Sequence, residues 1–100
     1  MSVQFDFHQI DEVIHGRVRL GVIAALVASG TAEFTGLRQR LEVTEGTLSV
    51  HLRKLEQAGY VTIEKTFKGR RPLTRIHLTE QGREAFRSYL ATMEALIGRQ

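Results

Sequence analysis

Hydrophobic residues recur along this chain at helical spacing, change to alternation near Tyr60, and return to helical spacing after Thr79. Between Phe5 and Ile14 the pattern is loose, but Ile10, Val13 and Ile14 are spaced as on one helix face, which predicts a short helix there. In GRVRLGVIAALVAS, Val18, Val22, Ala25 and Leu26 share a face, with Leu20, Ile23 and Val27 beside them. That helix is expected to be mostly buried and to close at Ser29 and Gly30. Gly30 and Thr31 read as a break, after which Phe34, Leu37 and Leu41 place a second core helix through FTGLRQRL.

Glu42 and Val43 form a tight connection, and Thr44 stands where a helix N-cap should, its hydroxyl able to accept from a free backbone N–H. Glu45 in the first turn suits the helix dipole. Leu48, Leu52 and Leu55 then run down one face at spacings of four and three, and Ala58 with Gly59 predicts a left-handed cap. Thr47, Ser49, His51, Arg53 and Lys54 are left mostly outward, so the helix offers leucines to a core and a polar, basic face to something else.

From Tyr60 the period is two: Val61, Ile63 and Phe67 share one strand face, and Thr62, Glu64 and Thr66 the other. KGRRP supplies a turn through Gly69 and Pro72, and alternation resumes with Ile76 and Leu78 inward, giving a β-hairpin with a basic tip. Thr79 caps a last helix in which Ala85, Phe86, Tyr89, Leu90, Met93, Leu96 and Ile97 form a wide apolar face.

Composition adds limits rather than detail. A chain of 100 residues with 42% hydrophobic and 25% charged residues is expected to fold as one domain over residues 1–100. The longest apolar stretch, Leu20 to Ala28, is too short for a membrane span, and MSVQFDFHQ lacks a basic then apolar leader, so a cytoplasmic protein without membrane contact is expected. Absence of cysteine removes disulfides, thiolate metal sites and a Cys nucleophile. Charge is divided unevenly: residues 1–50 carry four Arg against six carboxylates, while residues 51–100 carry ten Lys and Arg against five Glu. A polyanion would therefore bind the second half.

Helix, helix, tight turn, helix, basic-tipped hairpin, helix is the order of a winged helix-turn-helix, a mainly α fold with a small β-hairpin wing. GTLSVHLRKLEQAGYV, then GRRP, then LTEQGREAF resemble the winged-helix regulators of the ArsR and MarR type, above all the compact single-domain ones. The resemblance runs from about Asp11 to Ile97 and is strongest from Phe34 to Phe86. It implies a supporting helix at 34–41, a recognition helix at about 44–58, a wing at about 61–78 and a C-terminal helix at about 79–97. It further implies a homodimeric regulator bound to double-stranded DNA, with the recognition helix in the major groove and the wing on the minor groove or backbone.

The residue chemistry agrees with that implication. Thr44, Gly46, Thr47, Ser49, Val50, His51, Arg53 and Lys54 form the candidate DNA-facing set on the helix, with Thr47, Val50 and His51 the candidate base readers. Arg53 and Lys54 suit phosphates, because charge on a long stem tolerates imprecise geometry. Gly46 has two readings: a missing side chain that lets backbone N–H groups approach a phosphate, or a glycine tolerated at a helix end. Lys68, Arg70 and Arg71 at the turn suit a narrow, electronegative minor groove, and Arg75 is added as a backbone contact.

Phe86, Tyr89, Leu90, Met93, Leu96 and Ile97, with Phe5, Phe7 and Ile10, exceed what one small core can cover and are expected to form a dimer interface. No clustered acid, base or nucleophile points to an enzyme, no metal or cofactor is expected, and the helix that carries Cys pairs in ArsR-type metal sensors reads FTGLRQRL here. No small-molecule effector is named; by the resemblance, one would sit in a cleft between the terminal helices and the DNA-binding core. The alternative is a winged helix used as a protein-binding module, which the cationic wing tip disfavours, because interface cores are depleted in charge.

Overall fold

Three helices lay their apolar faces on one side of a small sheet and meet in a common core. A computed structural model describes residues 7–98 and gives α1 (Arg17–Val27), β1 (Thr31–Glu33), α2 (Phe34–Leu41), α3 (Glu45–Gln57), β2 (Val61–Lys68), β3 (Arg71–Leu78) and α4 (Glu80–Ile97). Val22, Ile23 and Leu26 of α1, Leu37 of α2, Leu48, Leu52 and Leu55 of α3, and Val61 and Ile76 of the sheet form that core. The leucine stripe of α3 thus fastens one face of the helix and leaves the opposite face to solvent.

Both ends of α3 are closed by the residues whose chemistry predicts it. Thr44 Oγ1 accepts from Thr47 N at 3.1 Å. At the other end Gly59 is left-handed, with φ 83°. Its N–H donates to Glu56 O, and Tyr60 N donates to Leu55 O, the reciprocal pair that satisfies the last helical carbonyls. Thr79 caps α4 through Gly82 N at 2.9 Å and also donates to Gly59 O, so the end of α3 and the start of α4 share one residue. Gly82 is required by this closeness: a Cβ there would lie 2.2 Å from Tyr60 O. Arg83 donates to Val27 O and ties the first turn of α4 to the end of α1.

The strand order is β1-β3-β2, all antiparallel. In the hairpin, Val61 pairs with Leu78, Ile63 with Ile76 and Phe67 with Pro72, which matches the faces read from alternation. β1 is a strand where the sequence pattern reads a break. Three residues carry too little alternation to announce a strand, and β1 exists because Ala32 and its neighbours find the free edge of β3.

Two other expectations are corrected. No α-helix covers 7–14; Phe7–Gln9 is a single 3-10 turn, and Asp11 Oδ1 then accepts from Val13 N and Ile14 N. A side chain that captures backbone N–H groups this way competes with helix propagation in so short a segment. Phe67 shares the inward strand face yet is 69% exposed, because the hairpin runs beyond the core and no described residue covers it there. The radius of gyration, 15.4 Å, accordingly exceeds the roughly 13 Å of a compact domain this size, and the longest dimension is 63 Å.

Candidate nucleic-acid interface

On α3, Thr44, Gly46, Thr47, Ser49, Val50, Arg53 and Lys54 are all exposed, opposite the buried leucines. They divide by direction. Ser49 and Arg53 line a groove between α3 and the hairpin together with Glu45, Glu56, Ile63 and Lys65. Gly46 and Val50 sit at the middle of the exposed arc, where a Cβ on Gly46 would meet no atom of the described residues within 4 Å. Internal packing therefore gives no reason for glycine at this place. The Thr47 hydroxyl accepts from the Thr44 hydroxyl at 3.0 Å, so it belongs to the cap network and keeps its own proton to donate outward.

His51 does not stand freely on the outward face as the sequence suggests. It lies on the α1 side of α3, half-buried, with Nδ1 accepting from Arg19 Nη1 at 2.9 Å. Loss of hydration, the Arg19 guanidinium and Lys54 lower its pKa from the ordinary value of 6.5, so the ring is neutral at neutral pH.

The wing residues Lys68, Arg70 and Arg71 are exposed around the left-handed Gly69, with Lys68 and Arg71 paired across the last rung. Between Lys65 and Thr79 there are five cations and no carboxylate. Arg75 does not join the others: it lies between Glu33 of β1 and Glu64 of β2 in the register, on the sheet face turned away from α3. Alternation decides this, since its neighbour Ile76 points into the core.

Two residues escaped the sequence reading. Lys65 faces the α3 groove, and its signal was present, because it follows Ile63 by two positions. Arg19 reaches α3 from 32 residues away and left no local signal.

At the other end of the molecule, Leu90, Leu96 and Ile97 are exposed and Met93 is half-buried. Tyr89, expected at an interface, is 6% exposed within its own chain, where it shares a 2.9 Å hydrogen bond with His15. Phe86 is half-buried and packs against the core. Ile10 is half-buried; Phe5 and the side chain of Phe7 lie outside the described residues. A hollow of about 850 Å³ opens between residues 8–15, Tyr60 and α4. On its wall the Tyr60 hydroxyl donates to Asp11, and burial together with that carboxylate pushes its pKa up to about 12. No helix among the described residues is long and apolar enough to cross a membrane.

A third helix held by leucines, set beside a three-stranded sheet whose hairpin carries cations, defines a winged helix. Residues 18–97 match the family model described as a winged helix DNA-binding domain, and the chain belongs to that family of transcriptional regulators, which are not enzymes. It is 35% identical over 79 residues to the uncharacterized protein MJ0432 of Methanocaldococcus jannaschii, covering 79% of this chain and 86% of that one. A transcriptional regulator homologue from Pyrococcus horikoshii OT3 superposes with a TM-score of 0.79 at 33% identity, over 87% of this chain and 86% of that chain. A MarR family transcriptional regulator from Silicibacter pomeroyi shares the fold, with a TM-score of 0.66 at 22% identity over 89% and 59% of the two chains.

Proposed function

We propose that this protein is a sequence-specific, homodimeric DNA-binding regulator that acts in the cytoplasm, with α3 in the major groove and the wing on the minor groove or backbone. The observation that carries the reading is the placement of an exposed, short-chained α3 face beside a hairpin with four cations, Lys65, Lys68, Arg70 and Arg71, and no carboxylate between residues 65 and 74. Gly46 supports it, because glycine there serves no contact among the described residues and leaves the helix N-terminus open to a phosphate. Arg53, Lys54, Lys65, Lys68, Arg70 and Arg71 hold the backbone, while Thr47, Val50 and His51 reach base edges. Arg75 has at most a peripheral part.

The dimer forms through Leu90, Met93, Leu96 and Ile97 on the last turns of α4. Two recognition helices would then stand about 34 Å apart, and the operator is an inverted repeat with half-sites roughly 10 base pairs apart. Titrating duplex DNA against increasing salt tests the reading: log affinity falls linearly with log salt, by about 0.9 for each phosphate neutralised. A flat response would remove the backbone contacts assigned to the wing and α3.

A further inference from the structure

His51 and Arg19 carry an inference that rests on the DNA-binding reading and deepens it. Arg19 extends from α1 with its guanidinium shared among three acceptors: Nε donates to Val13 O at 2.5 Å, Nη2 to Glu12 O at 3.3 Å, and Nη1 to His51 Nδ1 at 2.9 Å. A guanidinium has five N–H donors and no acceptor, so Nδ1 of His51 can take part only as an unprotonated lone pair. In a neutral imidazole the single proton must then sit on Nε2. That nitrogen has no partner among the described residues, and His51 is partly exposed on the flank of the recognition helix.

We propose that Arg19 is a positioning residue that orients the His51 ring and fixes its tautomer, so that His51 presents Nε2–H as a hydrogen-bond donor to an acceptor on DNA. The acceptor is one on a base edge in the major groove: a purine N7, guanine O6 or thymine O4. The amino groups of adenine and cytosine in the major groove are refused, because a donor facing a donor leaves both unpaired. The imidazolium is disfavoured as well, since a proton on Nδ1 would face the Arg19 guanidinium, with Lys54 on the same helix adding to the repulsion. The two carbonyls that hold Arg19 belong to the turn that Asp11 closes, so the donor on α3 is aimed by the segment that precedes α1.

Heteronuclear NMR of the imidazole nitrogens tests the first half on the free protein, with the Nε2–H tautomer expected for His51 at neutral pH. A predominant Nδ1–H tautomer or an imidazolium would overturn the proposal. The second half uses the tightest duplex recovered from a randomised pool and a scrambled duplex of the same length. His51→Gln carries an amide N–H at the distance of Nε2 and keeps most of the preference for the selected duplex, whereas His51→Asn reaches only as far as Nδ1 and loses it by about three- to tenfold, the worth of one hydrogen bond.

Arg19→Lys keeps the charge but not the three-way fork. It retains affinity for the scrambled duplex while its preference falls by the same factor. Base analogues lacking one acceptor at a time, 7-deazapurines for N7 among them, then identify the atom as the one whose removal abolishes the difference between wild type and His51→Asn. A difference abolished only by methylphosphonate linkages would place the donor on the backbone and overturn the base-edge role. Equal preference in the Gln and Asn variants overturns the donor role. If no duplex binds at all, the DNA reading falls and takes the donor role with it, while the tautomer measurement still decides what Arg19 does to the ring.

Discussion

The wing and the last turns of α4 both run past the core with apolar side chains in solvent, and the charge around them separates their partners. At the wing, Phe67 lies in a stretch with five cations and no carboxylate. From Ser88 to Gly98, α4 exposes Leu90, Leu96 and Ile97, and its one charged residue is Glu94. Exposed apolar surface within a dense positive field suits a polyanion whose sugars offer apolar contact, whereas a nearly uncharged helix face suits a second copy of itself. Hydrophobicity alone would assign both ends the same role.

Removing the support common to both ends has the largest expected effect. Leu52→Ala should lower stability by roughly 2 to 5 kcal/mol, the usual loss for a truncated core leucine, measured by urea denaturation. An unchanged midpoint would mean that the buried and exposed faces of α3 are misassigned, and the comparison would lose its common base.

The two ends are then broken separately. Met93→Asp with Leu96→Asp should convert a dimer of 11.3 kDa chains into a soluble monomer in sedimentation, with inverted-repeat binding greatly weakened and wing-dependent affinity for random duplex retained. Arg70→Ala with Arg71→Ala should do the reverse. The dimer persists, affinity drops for every sequence alike, and the salt slope shrinks by about 0.9 for each phosphate that is no longer neutralised. A wing variant that binds as tightly as the parent at equal salt would assign the cations to solvation only.

Gly46→Ala has the smallest effect and sharpens the comparison by its signs. With open space around the new Cβ, the fold should gain up to about 1 kcal/mol from better helix propensity, read as a higher melting temperature. DNA affinity should fall at the same time. Affinity that rises with stability would mean that the N-terminus of α3 does not approach a phosphate.

Features set by nearest neighbours along the chain are legible in the sequence itself: the stripe of Leu48, Leu52 and Leu55, the caps at Thr44, Gly59 and Thr79, and the hairpin faces. Each depends on spacing within a few residues, where helical and strand periods act directly. Much of the α3 and wing surface followed from the same spacing, with Lys65 missed although its period was visible. What tertiary structure decided depends on partners distant in sequence. β1 exists only because β3 offers an edge, and although alternation turns Arg75 away from α3, only the assembled sheet sets it between Glu33 and Glu64. His51 is tied to a guanidinium 32 residues away, and Tyr89 is buried against a histidine 74 residues away. Period says which way a side chain points; whether something stands there to receive it, as for Tyr89, or no described residue does, as for Phe67, is a property of the assembled fold.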